Sequence, residues 1–284
     1  MLPFEKKNIP YIKKKKSGGG ITALTAYDYP TARILSDAGV DIILVGDSLG
    51  MVLQGNSNTL SVTIEQIIYH TTLVSASNPS SVIVADMPFG SYHSDVKSAI
   101  NNAVRLIKEG GAEAVKLEGG RKRFEVINGI VNCDIPVLGH LGLTPQSVYN
   151  IGGFKVQGKI KIKAKEIIED AIELEKLGVF GIVLESVPVE LAEKVTKLIK
   201  IPTIGIGAGP VCDGQILVFH DLVGFTNLYL PRFVKKYADV YSSAKNAVGK
   251  YIEDIKTGKF PGKDESYYLK KDIDEFLNED SQKD

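Results

Sequence analysis

The sequence predicts a single-domain (β/α)8 barrel, the TIM-barrel class of α/β fold. Three observations carry that prediction. Short apolar runs, mostly β-branched, recur along the chain and stop at turn residues, the pattern of strands buried on both faces of a parallel sheet. Segments of helical periodicity alternate with them. The length, 284 residues, suits one large domain of this class. A doubly wound open sheet is the runner-up. No self-similar period of ~40 residues is evident, which argues against a solenoid.

The lead-in over 1–20 ends in the glycine-rich stretch 17–20, and the barrel is expected over 21–262, with a tail over 263–284. Residues 21–26 read as the first strand. Asp28 is placed to cap a helix running to Gly39, a C′ glycine. The second strand is the organising one: Asp41-Ile-Ile-Leu-Val-Gly-Asp47-Ser48 runs four apolar residues into two polar ones. Residues 51–61 are long for a strand–helix connection and form a candidate active-site loop. A helix over 63–77 precedes the third strand, 81–86, and a helix over 94–109 precedes the fourth, 114–118. A short helix over 124–131 leads to strand five, 135–141. The irregular stretch 142–159 is a second candidate functional loop. A helix over 161–177, strand six over 181–185, a helix over 189–199, strand seven over 201–206 and strand eight over 216–219 follow. One or two helices over 233–255 close the chain.

Composition narrows the function. Formal net charge is zero, from 34 basic and 34 acidic residues, which argues against a general nucleic-acid binder. Hydrophobic content of 44% is that of an ordinary globular protein, and no apolar run reaches the length of a membrane span. The N-terminus is basic without a signal-peptide core. Two cysteines, Cys133 and Cys212, offer neither a disulfide framework nor zinc spacing and fit a reduced, cytoplasmic protein. Residues 13–16, four lysines, read as a solvated patch, with anion contact the lesser reading.

The chemistry lies at the strand ends. In a barrel, ligands bind beyond the carboxyl ends of the strands, and five consecutive strands carry ionisable groups there. Asp47, Asp86 and Glu118 would meet at one rim. Three carboxylates brought together repel, and a hard divalent cation resolves the repulsion. Mg²⁺ fits, because it takes one or two carboxylates and leaves positions for substrate; the scattered histidines and few cysteines argue against zinc. For Asp47 or Asp86 alone, a helix N-cap is an equally good reading. Lys116 and Glu118 alternate along one strand, so both leave the same face. They make either a salt bridge inside the barrel or a substrate-holding lysine beside an acid that orients metal-bound water. A Schiff base on Lys116 is a third reading, redundant beside a metal. His140 is either a proton shuttle or a satisfied structural group. Glu185 emerges into the same mouth, and a partly desolvated glutamate suits a general base. Gly205-Ile-Gly-Ala-Gly209 reads as a phosphate loop or, equally, as a tight turn; His220-Asp221 reads as structural.

Longer motifs carry a resemblance. Thr25-Ala-Tyr-Asp28, Leu44-Val-Gly-Asp-Ser-Leu-Gly-Met51, Ala85-Asp86-Met-Pro88, Val115-Lys-Leu-Glu-Gly119 and Gly139-His-Leu-Gly-Leu-Thr-Pro-Gln146 follow in order. So do Gly152-Gly-Phe-Lys-Val-Gln-Gly158, Val183-Leu-Glu185, Gly205-Ile-Gly-Ala-Gly209 and Asp213-Gly-Gln215. Over roughly 21–262 the chain resembles the ketopantoate (3-methyl-2-oxobutanoate) hydroxymethyltransferase family. The resemblance implies a (β/α)8 barrel that transfers a one-carbon unit from 5,10-methylenetetrahydrofolate to 3-methyl-2-oxobutanoate. The product would be 2-dehydropantoate, on the route to pantothenate. It implies one Mg²⁺ per subunit held at Asp47 and Asp86, with Glu118 nearby. It implies substrate contacts at Asp47, Ser48, Asp86 and Lys116, and Glu185 as proton acceptor. It also implies a homo-oligomer, often a decamer of two five-membered rings. One departure is in the tail, where Glu265 stands in place of the family's usual histidine. The nearest rival is a Mg²⁺-dependent lyase or mutase on the same barrel; a catalytically silent binding subunit is the rival from another class.

Overall fold

Alternation along eight short strands sorts the apolar residues of this chain into two cores, and that sorting is what builds the site. The computed structural model describes residues 5–16, 18, 20–226 and 230–269. The chain divides into two compact units, Met1–Tyr237 and Ala238–Asp284. In the first, β1 (Ile21–Thr25), β2 (Ile42–Val45), β3 (Val82–Asp86), β4 (Ala114–Glu118), β5 (Val137–Gly142), β6 (Gly181–Glu185), β7 (Thr203–Ile206) and β8 (Gly214–Leu217) close into an all-parallel barrel in sequence order. The eight-stranded barrel expected from the sequence is the one observed.

Inward-facing positions form one core. Ile21, Ala23, Ile42, Leu44, Val82, Val84, Ala114, Leu138, Val183, Ile204 and Ile216 pack together inside the barrel. Their alternates, among them Ile43, Val45, Ile83, Ala85, Val115 and Leu117, face the helices and join the larger outer core. Side chains two apart share a face. The inward series of β3 therefore continues from Val84 to Asp86, that of β4 from Ala114 to Lys116 and Glu118, that of β5 from Leu138 to His140, and that of β6 from Val183 to Glu185. The apolar core thus runs directly into the ionisable groups.

The helices are α1 (Ile9–Lys14), α2 (Tyr29–Asp37), α3 (Leu49–Val52), α4 (Ile64–Ala76), α5 (Val96–Lys108) and α6 (Phe124–Val131). They continue with α7 (Val148–Ile151), α8 (Lys161–Lys176), α9 (Val189–Leu198), α10 (Phe219–Leu222) and α11 (Val240–Lys256). Local capping explains their starts. The Asp28 carboxylate accepts the Thr31 N–H at 2.8 Å, and Gly39 follows the end of α2 at φ 82°, a conformation a Cβ would disfavour. Thr63 and Gln66 make a reciprocal capping box on α4, and Asp95 caps α5.

Three expectations change and one open alternative is decided. The lead-in contains α1, which turns Ile12 into the barrel core with no exposed surface, a burial that contributes roughly 2 kcal/mol. Lys15 and Lys16 are not a solvated patch, because α1 brings them to Asp41 at 2.7 Å and Asp213 at 2.9 Å. No helix separates β7 from β8; residues 207–213 connect them directly, so the Gly-rich run is a tight link without a helix N-terminus to receive a phosphate. The second unit's helix starts at Val240, where the Asp239 carboxylate caps it, and not near 233. In that unit Glu265 accepts the Gly262 N–H at 2.9 Å. The remainder of the expected tail, 270–284, lies outside the described residues.

Candidate active site

Each sequence-expected residue reaches one place. Asp47, Ser48, Asp86, Lys116, Glu118, His140 and Glu185 all line a cavity of about 580 Å³ at the carboxyl ends of the strands. Strand register explains the neighbours: Asp86 pairs with Lys116, Glu118 with His140, and Gly142 with Glu185 on adjacent strands. Gly142 is required where it stands, since a Cβ there would lie on the carbonyl oxygen of Glu185, and its φ is 97°. Ser186, directly after Glu185, holds a positive φ of 47°. Its N–H donates to the Ile206 carbonyl and its own carbonyl accepts from Gln157 N–H, so neighbouring structure sustains the strain beside the acid.

Lys116 is the electrostatic hub. Its ammonium donates to both oxygens of Asp86 at 2.8 Å and stands 3.8 Å from Glu118 Oε1. Burial opposes its charge, but Asp86, Glu118 and Asp47 outweigh burial and hold its pKa above that of an ordinary lysine. So paired, the ammonium is placed as an electrostatic partner of the acids. Burial, then repulsion from Asp86 and Glu118, pushes the Asp47 carboxyl well above its ordinary range. Burial also raises Asp86, against the attraction of Lys116. Burial opposes ionisation of Glu118 too, but His140 and Lys116 overcome it and hold Glu118 low.

His140 lies between two acids. Its Nδ1 is 3.5 Å from Glu118 Oε1 and its Nε2 is 3.3 Å from Glu185 Oε2, ion-pair distances without hydrogen-bond geometry. Burial and Lys116 favour the neutral ring, and the two glutamates reverse that, raising its pKa to about 9. The imidazolium therefore links the hub to Glu185, whose side chain keeps 15% of its surface exposed to the cavity. Ser48 Oγ lies 2.8 Å from the Tyr27 hydroxyl, which burial keeps un-ionised.

Three residues that sequence reasoning gave no role are in contact with this cluster: Tyr27, Tyr92 and Gln146. Gln146 and Tyr27 lie in quoted motifs, which was the available signal; Tyr92 has no local signal. Asp221, read as structural, lines the same cavity, while His220 is buried with no hydrogen bond to its Nδ1.

The donor chemistry fits a hard divalent cation. Asp47, Asp86 and Glu118 present oxygen donors, three acids against the two cations Lys116 and His140. Among the described residues no group of three or more His, Cys, Asp or Glu side chains is arranged to hold a metal ion.

Comparison with known proteins places this site in a family. Residues 6–263 match the family model described as ketopantoate hydroxymethyltransferase. The 3-methyl-2-oxobutanoate hydroxymethyltransferase of Thermoanaerobacter sp. (strain X514) is 54% identical over 259 residues, 91% of this chain and 94% of that protein. Its namesake from Geobacter metallireducens is 51% identical over 263 residues, 92% and 98% of the two chains. Among solved structures, 2,3-dimethylmalate lyase, a member of the PEP mutase/isocitrate lyase superfamily, aligns with a TM-score of 0.58 at 16% identity over 96% of this chain and 98% of its own. Phosphonopyruvate hydrolase aligns at 0.59 with 12% identity over 97% and 96%. At such identities the structures share the barrel and nothing finer. The sequence matches are of another order and run through every strand that lines the cavity: the chain belongs to the ketopantoate hydroxymethyltransferase family.

Proposed function

We propose that this enzyme is a 3-methyl-2-oxobutanoate hydroxymethyltransferase that takes its one-carbon unit from 5,10-methylenetetrahydrofolate and yields 2-dehydropantoate. The carrying observation is the carboxylate–lysine–histidine cluster at the barrel mouth, in a chain of that family. Asp47 and Asp86 would hold one Mg²⁺ per subunit, with Glu118 beside it. When bound, Mg²⁺ supplies Lewis-acid charge that makes the C3 proton of a 2-oxo acid removable.

The chain's own groups do the remainder. Lys116 has three donors and gives two to Asp86, so one is left for an oxygen of the oxo acid. Ser48 Oγ, oriented by Tyr27, supplies a further polar contact. Glu185 accepts the C3 proton; water releases the one-carbon unit from the folate at the formaldehyde level, both C–N bonds breaking to leave tetrahydrofolate, and the carbon nucleophile adds to that carbon, whose oxygen becomes the new hydroxyl. The His140 imidazolium, beside Glu185, is placed to exchange protons with it. The cavity's volume supports a second, larger ligand, and its walls include Met51, Val52, Phe154, Val156 and Phe233, apolar surface that suits a folate ring.

We place the enzyme in the cytoplasm as a homo-oligomer, a decamer by resemblance. In support, Cys133 and Cys212 are both free, and among the described residues no helix is long and apolar enough to cross a membrane. The test of the activity is incubation with 3-methyl-2-oxobutanoate, methylenetetrahydrofolate and Mg²⁺. Formation of 2-dehydropantoate that depends on all three is expected; turnover without folate would favour a lyase or mutase. Sedimentation as a monomer at micromolar concentration would defeat the oligomer.

A further inference from the structure

Gln146 is buried in the loop after β5, and its whole amide is engaged. Its Nε2 donates to Asp47 Oδ2 at 2.9 Å and to the Met87 carbonyl at 3.0 Å. Its Oε1 accepts from the Tyr92 hydroxyl at 2.7 Å, and its backbone N–H donates to Glu118 Oε2 at 3.0 Å. The direction of the amide is dictated from outside the acid cluster. The Met87 carbonyl only accepts, so the nitrogen must face it. The Glu118 N–H donates to the Tyr92 oxygen at 3.2 Å, which leaves the hydroxyl proton for Gln146 Oε1. Asp47 thus receives a donor whatever its own state.

One residue therefore anchors one oxygen of each of two acids. Asp47 Oδ1 has no hydrogen-bond donor among the described residues, and Glu118 Oε1 faces Lys116 and His140 at 3.8 and 3.5 Å. Buried acids that repel one another turn away unless something holds them. A lysine or arginine in this place would neutralise the site, and a glutamate would add a further acid to it. A glutamine side chain holds Asp47 and leaves its charge unspent, while the backbone N–H at the same position holds Glu118.

We propose that the Gln146 side chain, locked by Tyr92, is a positioning group that presents Asp47 Oδ1 to a divalent cation. The proposal rests on the Mg²⁺ reading above. Partners of this kind around a metal ligand are typically worth 10- to 100-fold in metal affinity. Gln146→Leu keeps an approximate side-chain volume and removes the side-chain bonds to Asp47, Met87 and Tyr92 while the backbone bond to Glu118 stays, whereas Tyr92→Phe removes the lock on Oε1 together with the hydroxyl that accepts the Glu118 N–H. Calorimetric titration of Mg²⁺ alone into each folded protein, with unfolding temperature as control, reads the effect directly. Gln146→Leu should weaken Mg²⁺ binding on the order of 10- to 100-fold. Tyr92→Phe should shift it the same way by a smaller factor. In turnover, the Mg²⁺ concentration at half-maximal rate should rise while kcat recovers at saturating Mg²⁺, which a general packing defect would not allow. Wild-type Mg²⁺ affinity in folded Gln146→Leu overturns the proposal; if that variant does not fold, wild-type affinity in Tyr92→Phe overturns it. Wild-type enzyme whose turnover needs no divalent ion would instead overturn the Mg²⁺ reading, and this proposal with it.

Discussion

Asp41 and Asp47 flank the same strand, β2, at opposite ends of the barrel, and both are buried, at 3% and 5% exposure. Their surroundings differ in the balance of cations and acids. At the amino end, Lys15 and Lys7 reach Asp41 at 2.7 and 3.2 Å, and Thr22 N–H donates to it at 2.9 Å. Burial opposes the charge of Asp41, yet these partners more than compensate and hold its carboxyl below the ordinary range. At the carboxyl end, Lys116 and the His140 ring are shared among Asp47, Asp86, Glu118 and Glu185, and Asp47 is driven the other way. Burial alone does not make an acid chemical. An acid with a surplus of cations closes a fold, and one with a deficit is available to a ligand.

The sharpest way to separate the two ends is Glu185→Gln. The substitution keeps size and hydrogen bonding but removes the base. Exchange of the C3 proton of 3-methyl-2-oxobutanoate with D₂O, followed by proton NMR with Mg²⁺ and no folate, should slow by on the order of 10²- to 10⁴-fold. The urea midpoint should hardly move. Exchange at the wild-type rate would pass the role of base to another group, His140 first.

Asp41→Asn should do the reverse. It leaves Lys7 and Lys15 facing a neutral amide at the barrel bottom, and breaking a buried pair of this kind costs about 3 kcal/mol of stability. Urea unfolding measures that loss, while kcat per folded molecule should hold. A fall in kcat with stability intact would mean that the two ends are not independent.

Acid sharpens the same contrast. A carboxyl whose folded pKa is depressed contributes stability that is complete above its unfolded pKa, about 4, and is lost as pH falls through the lower folded value. The stability gap between wild type and Asp41→Asn should therefore be constant near neutrality and narrow below about pH 4. A gap that widened in acid would reverse the assigned sign.

The smallest effect is expected on the outer surface. Lys197 and Glu193 lie 2.6 Å apart on an exposed face of α9. Lys197→Ala should change stability by less than about 0.5 kcal/mol, because solvent screens the pair. A loss as large as that of Asp41→Asn would remove burial from the explanation of the bottom cluster.

Much of the barrel was legible because its signal is local. A run such as Ile42–Val45, or the inward alternation from Ala114 through Lys116 to Glu118, is written in adjacent letters and needs no partner to be read. The same periodicity put the ionisable groups on the inward face, so the residues of the mouth were named before their neighbours were known.

The sequence by itself determined the strand pattern, the face on which each acid, lysine and histidine emerges, and the family. The tertiary structure decided how those groups are paired. Lys15 meets Asp41 across 26 residues, Lys116 meets Asp86 across 30, and Gln146 meets Asp47 across 99. The reason is physical. Secondary structure follows from torsional preference and burial over a few consecutive residues, whereas the state of a buried charge depends on every charge within a few ångströms, and only closure of the barrel brings those together.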